Sequence, residues 1–275
     1  MVRRLWDIFL FKKEHDPMKK PVKILLGCVS AAALVLCVLC VLFIVQYVRG
    51  QSLNDRLSGR LTSALLADIT VDPDSDVRYM ATDIDFDELT ALNDEIYAWI
   101  EVPGTVISYA VVQSRTDDLF YNNHGVDKAY FSGGSIYSQR YNSTDFQDSM
   151  TVLYGHNRQS QTMFAQLNNF ADAAYFDANK DIYIYTPEKV YRYEIFAAYP
   201  HSSEHLLLCY DFDDPQQFAD YFGSLSGTVN ANYRRDLFPE YGDKVLTLST
   251  CYKQNRMQRY LVQGVLAEEY TVLQK

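Results

Sequence analysis

The fold of this chain is indicated most clearly by residues 182–196, which read IYIYTPEKVYRYEIF. Two runs of β-branched and aromatic residues flank a turn signal at residues 187–189, and this arrangement predicts a β-hairpin. In the second run, Tyr191, Tyr193 and Ile195 alternate with charged residues, which is the two-residue period of a strand with one buried face. The hairpin therefore indicates a β-rich fold.

Strand-like runs recur along the rest of the chain, and a few helices lie between them. Two helices have clear start signals: one follows Asp214 and Pro215, and one follows Asp85, after which apolar residues continue at helical spacing as far as Trp99. This mixture predicts a mainly β fold with inserted helices, either a barrel or a sandwich. The further predicted strands are residues 107–112, 150–154, 244–251 and 260–266.

Near the N-terminus, residues 24–45 form an unbroken run of 22 apolar or small residues. A helix of that length spans the hydrocarbon core of a bilayer, about 30 Å thick. A secretory signal has a shorter apolar region, about 7–15 residues, followed by a small-residue cleavage site, and Gln46-Tyr47-Val48-Arg49 contains no such site. We therefore expect an uncleaved transmembrane helix.

Charge predicts the orientation of that helix. Residues 1–23 hold seven basic and three acidic side chains, so the positive-inside rule places this tail in the cytoplasm and the rest of the protein outside the cell. The predicted organisation is a cytoplasmic basic tail at 1–23, a transmembrane anchor at 24–46, an extracellular spacer at 47–84 with a short helix at 51–69, and a folded domain at 85–275.

The formal net charge of −10 argues against nucleic acid as a partner, because phosphates require a basic surface. Three of the five cysteines lie inside the apolar run, and only Cys209 and Cys251 lie beyond it. Two cysteines could form one disulfide, but a domain of this size does not depend on one. The composition thus leaves room for a functional free thiol.

Three residues could carry chemistry, although each also has an ordinary structural interpretation. Cys251 ends a strand-like run next to a polar loop, His156 follows the apolar run at 151–154, and Arg259 precedes Tyr260 at the start of another strand. Free cysteines are often buried packing residues, and a lone histidine or arginine at a strand end is often solvated. Separately, none of the three identifies a function.

Together the motifs resemble those of class B sortases, which are membrane-anchored cysteine transpeptidases of Gram-positive bacteria. Residues 246–251, LTLSTC, resemble the family's cysteine signature, with the serine of class B; residues 154–157, YGHN, resemble its histidine motif. Residues 259–264, RYLVQG, are similar to the arginine strand, and residues 99–105 with 111–113 are similar to the opening of the class B catalytic domain.

This resemblance implies a closed β-barrel and a covalent mechanism without a metal or cofactor. Cys251 would attack the carbonyl after the threonine of a C-terminal sorting signal on a surface protein, and His156 would transfer protons. Arg259 would stabilise the oxyanion, and the spacing to Gly264 favours it over Arg256. The acyl-enzyme would then be joined to an amine of the cell wall.

The resemblance also implies residues that bind the sorting signal: Tyr154, Ser249, Thr250 and Asp118. Class B enzymes often carry an asparagine, two aromatic residues and a leucine after the segment at 111–113. In this chain the corresponding residues, 117–122, read DDLFYN and depart from that pattern. The resemblance therefore leaves the sorting motif open.

Other functions remain possible from the sequence. Residues 201–205, HSSEH, match a zinc-peptidase pattern, but Pro200 and the two serines favour a loop over the helix that zinc binding requires. The acceptor could be a peptidoglycan precursor or, as for some class B relatives, a lysine of a pilin. A non-enzymatic, anchored binding module is a third alternative, and blocking Cys251 by alkylation would distinguish it from an enzyme.

Overall fold

The computed structural model describes residues 20–61, 69–71 and 77–273, which contain five α-helices and eleven β-strands. The helices are α1 Lys20–Leu61, α2 Phe86–Leu92, α3 Ala173–Ala178, α4 Leu206–Cys209 and α5 Pro215–Ser224. The strands are β1 Ile69–Val71, β2 Arg78–Ala81, β3 Ile96–Glu101, β4 Ser108–Val112, β5 Ile136–Tyr137, β6 Met150–Tyr154, β7 Asp181–Tyr185, β8 Lys189–His201, β9 Asn232–Tyr233, β10 Val245–Cys251 and β11 Arg259–Leu273.

Eight of the strands in the described residues close into a barrel. Their order is β11-β10-β6-β5-β4-β3-β7-β8, and β8 pairs back onto β11 to complete the ring. Strands β2 and β1 extend the sheet beyond β11, and β9 pairs with β8. Closure leaves the ring itself without an unpaired edge. The predicted fold class, a mainly β structure with inserted helices and a closed barrel, is confirmed.

The barrel interior is filled by apolar side chains from every wall. Ile100, Val111, Leu248 and Val262 are buried within one cluster, which phenylalanines from the connecting segments complete. Helix α5 covers a separate cluster on the outside of the barrel. Each fully buried side chain of this size contributes about 1.5–3 kcal/mol. These clusters hold the strand ends, and thus the loops that leave them, in place.

Several local predictions are confirmed by the structure. Strands β7 and β8 form the hairpin, and the predicted strands at 107–112, 150–154, 244–251 and 260–266 correspond to β4, β6, β10 and β11. The carboxylate of Asp214 accepts hydrogen bonds from the first amides of α5, and that of Asp85 accepts from the Glu88 amide at the start of α2. Local capping chemistry therefore fixes both helix starts.

The helix predicted from Asp85 to Trp99 is wrong in its second half. Helix α2 ends at Leu92, and Ile96 and Trp99 belong to β3, which pairs with both β4 and β7. Strand β3 is buried on both faces, so its apolar residues carry no two-residue alternation. Ile96 and Trp99 fit the helical period only by coincidence of spacing.

Around the apolar run, the structure also differs from the expected organisation. Instead of an anchor followed by a separate helix at 51–69, α1 is continuous from Lys20 to Leu61. Within it, Gly27–Gly50 is long and apolar enough to cross a membrane, with a mean hydropathy of 3.1. A compact unit begins at residue 46, so the described residues of the predicted spacer, 47–61, 69–71 and 77–84, group with the barrel. Residues 1–19, in the predicted cytoplasmic tail, lie outside the described residues.

Candidate active site

The cysteine and the arginine lie opposite each other on two paired strands. Strands β10 and β11 are antiparallel, and their register places Cys251 directly across from Arg259. Directly opposed residues project to the same face of a sheet. As a result, Nη1 of Arg259 donates a hydrogen bond to Sγ of Cys251 at 3.0 Å.

Burial decreases at the end of β10, so that the thiol of Cys251 is partly accessible to solvent. Residues 245–250 are buried, whereas Cys251 is half-buried, and the exposed loop at 253–257 follows. Arg256, the rival for the arginine role, lies in that loop and is exposed. The six preceding residues fix the strand inside the barrel, and the reactive atom is placed where the barrel ends. A substrate can therefore reach the sulfur beside a permanent positive charge.

The histidine lies in the loop that leaves the neighbouring strand, and this segment, residues 155–164, is termed the histidine loop. Strand β6 runs parallel to β10, with Tyr154 in register with Ser249. The Gly155 amide donates to the carbonyl of Ser249 at 3.1 Å, and the hydroxyl of Thr250 donates to the carbonyl of Gly155 at 2.8 Å. These bonds bring the histidine loop to the cysteine end of β10.

Two asparagines tie the end of β10 to the segments beside it. The side-chain amides of Asn157, at 2.9 Å, and Asn168, at 3.3 Å, both donate to the carbonyl of Cys251. Asn168 also accepts a hydrogen bond from the Lys253 amide at 2.8 Å. The carbonyl of Cys251 is thus satisfied twice at the point where the strand ladder stops. This contact fixes the backbone of the nucleophile candidate.

The His156 ring is held by a main-chain carbonyl. Its Nε2 lies 2.7 Å from the carbonyl oxygen of Asn122. Because a carbonyl can only accept, Nε2 must carry a proton in this contact, and Nδ1 is the nitrogen left free to accept one. Among the described residues, the His156 ring hydrogen-bonds to Asn122, and the Cys251 sulfur accepts a hydrogen bond from Arg259. The two side chains share a site without a direct bond.

A pocket of about 160 Å³ adjoins Arg259. Tyr137 and Tyr154 stack with ring centroids 5.5 Å apart in its wall, and Ser249 contributes as well. Burial raises the pKa of Tyr137 to about 12, opposed in part by the Arg259 charge, and burial also raises the pKa of Tyr154. Both phenols therefore stay protonated at physiological pH.

The other two residues predicted to bind the sorting signal have internal partners. The hydroxyl of Thr250 is bonded to Gly155, and this residue is 2% exposed. Asp118 accepts from Nε and Nη2 of Arg140, at 3.0 and 3.1 Å, and these bonds lower the pKa of its carboxyl. Asp118 itself does not line the pocket beside Arg259, whereas its neighbour Leu119 does. A substrate contact by either residue stays a prediction, and the geometry gives each a structural role.

The HSSEH segment does not have the geometry of the zinc pattern. His201 ends strand β8, and His205 lies at the N-cap of α4, so the two imidazoles are not on one helix face. Nε2 of His205 is 2.5 Å from Oε1 of Gln139, and burial lowers the pKa of His205. The described part of the chain contains no cluster of three histidine, cysteine or acidic residues able to hold a metal ion.

Some residues of the site were missed by sequence reasoning. Tyr137 and Gln139 lie on and after β5 and reach the pocket through the barrel topology, and Asn122 contributes through its backbone. A main-chain contact leaves no trace in residue identity, and β5 has only two residues, too few for a period. Asn157 could have been found, because it lies in the YGHN motif beside His156.

Comparison with known proteins agrees with this geometry. The sortase domain family matches residues 100–267, more than half of the chain, and this range includes all three candidate catalytic residues. The chain belongs to the sortase family. Its similarity to named members places it in class B.

Three relatives illustrate the extent of that similarity. The crystal structure of Clostridium perfringens sortase B is 30% identical with a TM-score of 0.60, over 67% of this sortase and 100% of that chain. Sortase B of Listeria monocytogenes is 28% identical over 65% of this chain and 72% of its own length. A Streptococcus pyogenes class B sortase involved in pilus biogenesis is 26% identical with a TM-score of 0.59, over 67% of this chain and 98% of that one.

Proposed function

We propose that this class B sortase cleaves a C-terminal sorting signal after its threonine and transfers the acyl product to an amine of the cell wall. Cys251 is the nucleophile, His156 the acid–base group and Arg259 the oxyanion donor. The observation that carries the proposal is the 3.0 Å contact of Nη1 of Arg259 with Sγ of Cys251 on paired strands. That contact gives a sulfur nucleophile a fixed, permanently charged donor beside it.

In the first half of the reaction, the thiolate of Cys251 attacks the threonine carbonyl and forms a tetrahedral intermediate. Arg259 lies beside the sulfur, so its guanidinium can donate to the oxygen on which negative charge develops. The C–N bond then breaks, His156 supplies a proton to the leaving amine, and a thioester with Cys251 remains. The protein groups suffice for each of these transfers.

In the second half, His156 removes a proton from the acceptor amine, which attacks the thioester; the C–S bond breaks and Cys251 leaves as the thiolate. We propose that the pocket beside Arg259 holds the sorting signal through Tyr154 and Ser249, with stacked phenols able to donate hydrogen bonds. The acceptor is a peptidoglycan amine in this proposal. A pilin lysine is the second candidate, supported by the likeness to the Streptococcus pyogenes enzyme involved in pilus biogenesis.

We propose that the apolar segment of α1 anchors the enzyme, with the basic N-terminal tail in the cytoplasm and the catalytic domain outside the cell. The asymmetry of Lys and Arg around the segment supports this orientation. A protease added to intact protoplasts should remove the catalytic domain and spare an N-terminal tag. Protection of the catalytic domain would contradict the orientation.

Incubation of the detergent-solubilised full chain with a library of sorting-signal peptides, followed by mass spectrometry, tests the reaction. We expect cleavage after threonine in a subset of peptides, and transfer when an amine is added. A glycine-rich peptide and a lysine-bearing pilin peptide, supplied in competition, distinguish the two acceptors. Turnover that persists in Cys251→Ala would overturn the mechanism.

A further inference from the structure

The C-terminal part of α1, from Tyr47 onward, contacts the rest of the compact unit along one face. Tyr47, Gly50, Leu53 and Leu57 are each half-buried, whereas Val48 is 56% exposed. Their spacing of three and four residues is that of one side of a helix. Leu53 and Leu57 pack against the cluster that contains α2, within the compact unit that begins at residue 46. This face of α1 is therefore docked on the domain.

At the first turn of that face, α1 meets the histidine loop. The guanidinium of Arg158 lies 5.4 Å from the ring centroid of Tyr47 and 5.3 Å from that of Phe131. Its Nη2 also donates to the hydroxyl of Tyr47 at 2.9 Å. A cation held between two aromatic rings and a hydroxyl has a defined position. One turn of α1 thus fixes a residue of the histidine loop.

Two glycines permit this close contact. A Cβ at Gly50 would lie 2.6 Å from Cδ2 of Phe131, and a Cβ at Gly133 would overlap both the Phe131 ring and Arg158. Only glycine lets the backbone of α1 approach the ring so closely. An ion pair between the exposed Arg49 and Asp127, at 3.5 Å, joins the same turn to the domain. The contact is closely fitted.

The docked residues connect to His156 from two sides. On one side, Arg158 lies two residues after His156 in the same loop. On the other, the Phe131 amide donates to the carbonyl of Asn123 at 3.0 Å, and the adjacent carbonyl of Asn122 accepts from the His156 ring. The Tyr47–Gly50 turn therefore supports both the loop that carries the imidazole and the carbonyl that orients it.

We propose that Tyr47 and Gly50 are positioning residues for His156: the turn of α1 at the C-terminal end of the apolar segment completes the active site from outside the barrel. This inference rests on the proposed function, in which His156 transfers protons. A small displacement of a catalytic group can reduce turnover by one to two orders of magnitude while substrate still binds. Loss of the docking contact should thus act on kcat and leave KM nearly unchanged.

The experiment uses the full chain in detergent and measures kcat and KM for a cleaved sorting-signal peptide. Gly50→Leu, which forces α1 away from Phe131, and Arg158→Ala should each lower kcat about tenfold with KM within about twofold. Val48→Leu is the matched control on the exposed face of the same turn, and it should behave as wild type. Thermal denaturation of each variant shows that the assay temperature lies below the unfolding transition.

A double-mutant cycle sharpens the test. Tyr47→Phe removes only the hydroxyl, so it should lower kcat about two- to threefold alone and have no further effect in the Arg158→Ala background. Full kcat in both Gly50→Leu and Arg158→Ala would overturn the inference, as would a loss of kcat that only follows the unfolded fraction. His156→Ala is assayed in parallel: activity in that variant would contradict the proposed function itself, whereas an inactive His156→Ala beside a normal Gly50→Leu would contradict only the positioning role.

Discussion

The two halves of the proposed active site are held by different kinds of structure. Cys251 and Arg259 lie opposite each other on paired strands of a closed barrel, where the ladder register alone brings their side chains together. His156 instead lies in a loop, and its position depends on side-chain and carbonyl contacts with residues far away in sequence, including Asn122. The first half is determined by regular secondary structure, and the second by tertiary contacts.

This difference predicts which substitutions should lower turnover and by what route. In the strand half, removing a reactive group should leave its neighbours in place, because the ladder does not depend on it. In the histidine half, supporting residues should affect turnover even though they touch no substrate. In the proposed mechanism, a rigidly held pair of Cys251 and Arg259 acts together with His156, whose placement is more easily disturbed.

Among the variants that compare the two halves, the largest effect is expected at Arg259. Arg259→Ala and Arg259→Lys should each lower kcat by ~10²–10³, the typical loss for one oxyanion donor, since lysine cannot reproduce the planar fork. Arg256→Ala, in the exposed loop, is the control and should be close to wild type. Steady-state kinetics on the same peptide give the comparison. An inactive Arg256 variant beside a normal Arg259 variant would show that the roles are reversed.

A smaller effect is expected at Asn157, which connects the two halves. Asn157→Ala removes the amide that donates to the carbonyl of Cys251. We expect kcat to fall about tenfold, because one such hydrogen bond contributes about 1–1.5 kcal/mol and its loss would raise the barrier by that amount. Gln254→Ala, at an exposed position in the neighbouring loop, is the control. Unchanged kcat in Asn157→Ala would mean that the strand half needs no support from the histidine loop.

Substitution of Asp118 tests whether its ion pair with Arg140 stabilises the segment before Asn122. Its hydrogen bonds from Arg140 lower the pKa of the carboxyl below the ordinary 3.8, so their stabilisation is present above that pH and is lost as pH falls through the lower, folded value. Asp118→Asn should therefore lower the melting temperature by a few degrees at pH 7 and by less near pH 3. A difference that grows on acidification would contradict this sign.

The smallest effect is expected at Cys209. Three leucines before Cys209 predict a buried packing residue, but this prediction is wrong, because Cys209 is exposed on α4. The run of leucines before it resembles a buried strand, and the helix turns the cysteine outward. Cys209→Ala should retain full turnover and stability, measured by peptide cleavage and thermal denaturation. Loss of activity in Cys209→Ala would mean that Cys209 is a second functional thiol, which would contradict this prediction.

The sequence predicted those features whose signals are local. Alternation in the hairpin, the cap at Asp214 and the motifs around Cys251 and His156 each depend on a few adjacent residues. The end of α2 could not be predicted, since the buried strand β3 lacks alternation. Tyr137 and the carbonyl of Asn122 enter the site only through barrel closure, which one sequence does not specify.

The continuity of α1 was missed for a related reason. The sequence predicted an anchor at 24–46 and a separate helix at 51–69, yet α1 runs without a break to Leu61, and its Tyr47–Gly50 turn packs on Phe131 and Arg158. Those partners lie far along the chain, so local propensity could not reveal the contact. For the same reason, the sequence did not reveal that the described residues of the predicted spacer belong to the compact unit.

The central claim is that Cys251 forms a thioester with the acyl part of the sorting signal. Full-length enzyme is mixed with a cleavable peptide, quenched in acid at early times, digested and examined by mass spectrometry. The account predicts an acyl adduct on the peptide that contains Cys251, absent from the Cys251→Ala variant and lost on addition of an amine. Turnover without this adduct, or an adduct on Cys209 in its place, would contradict the account.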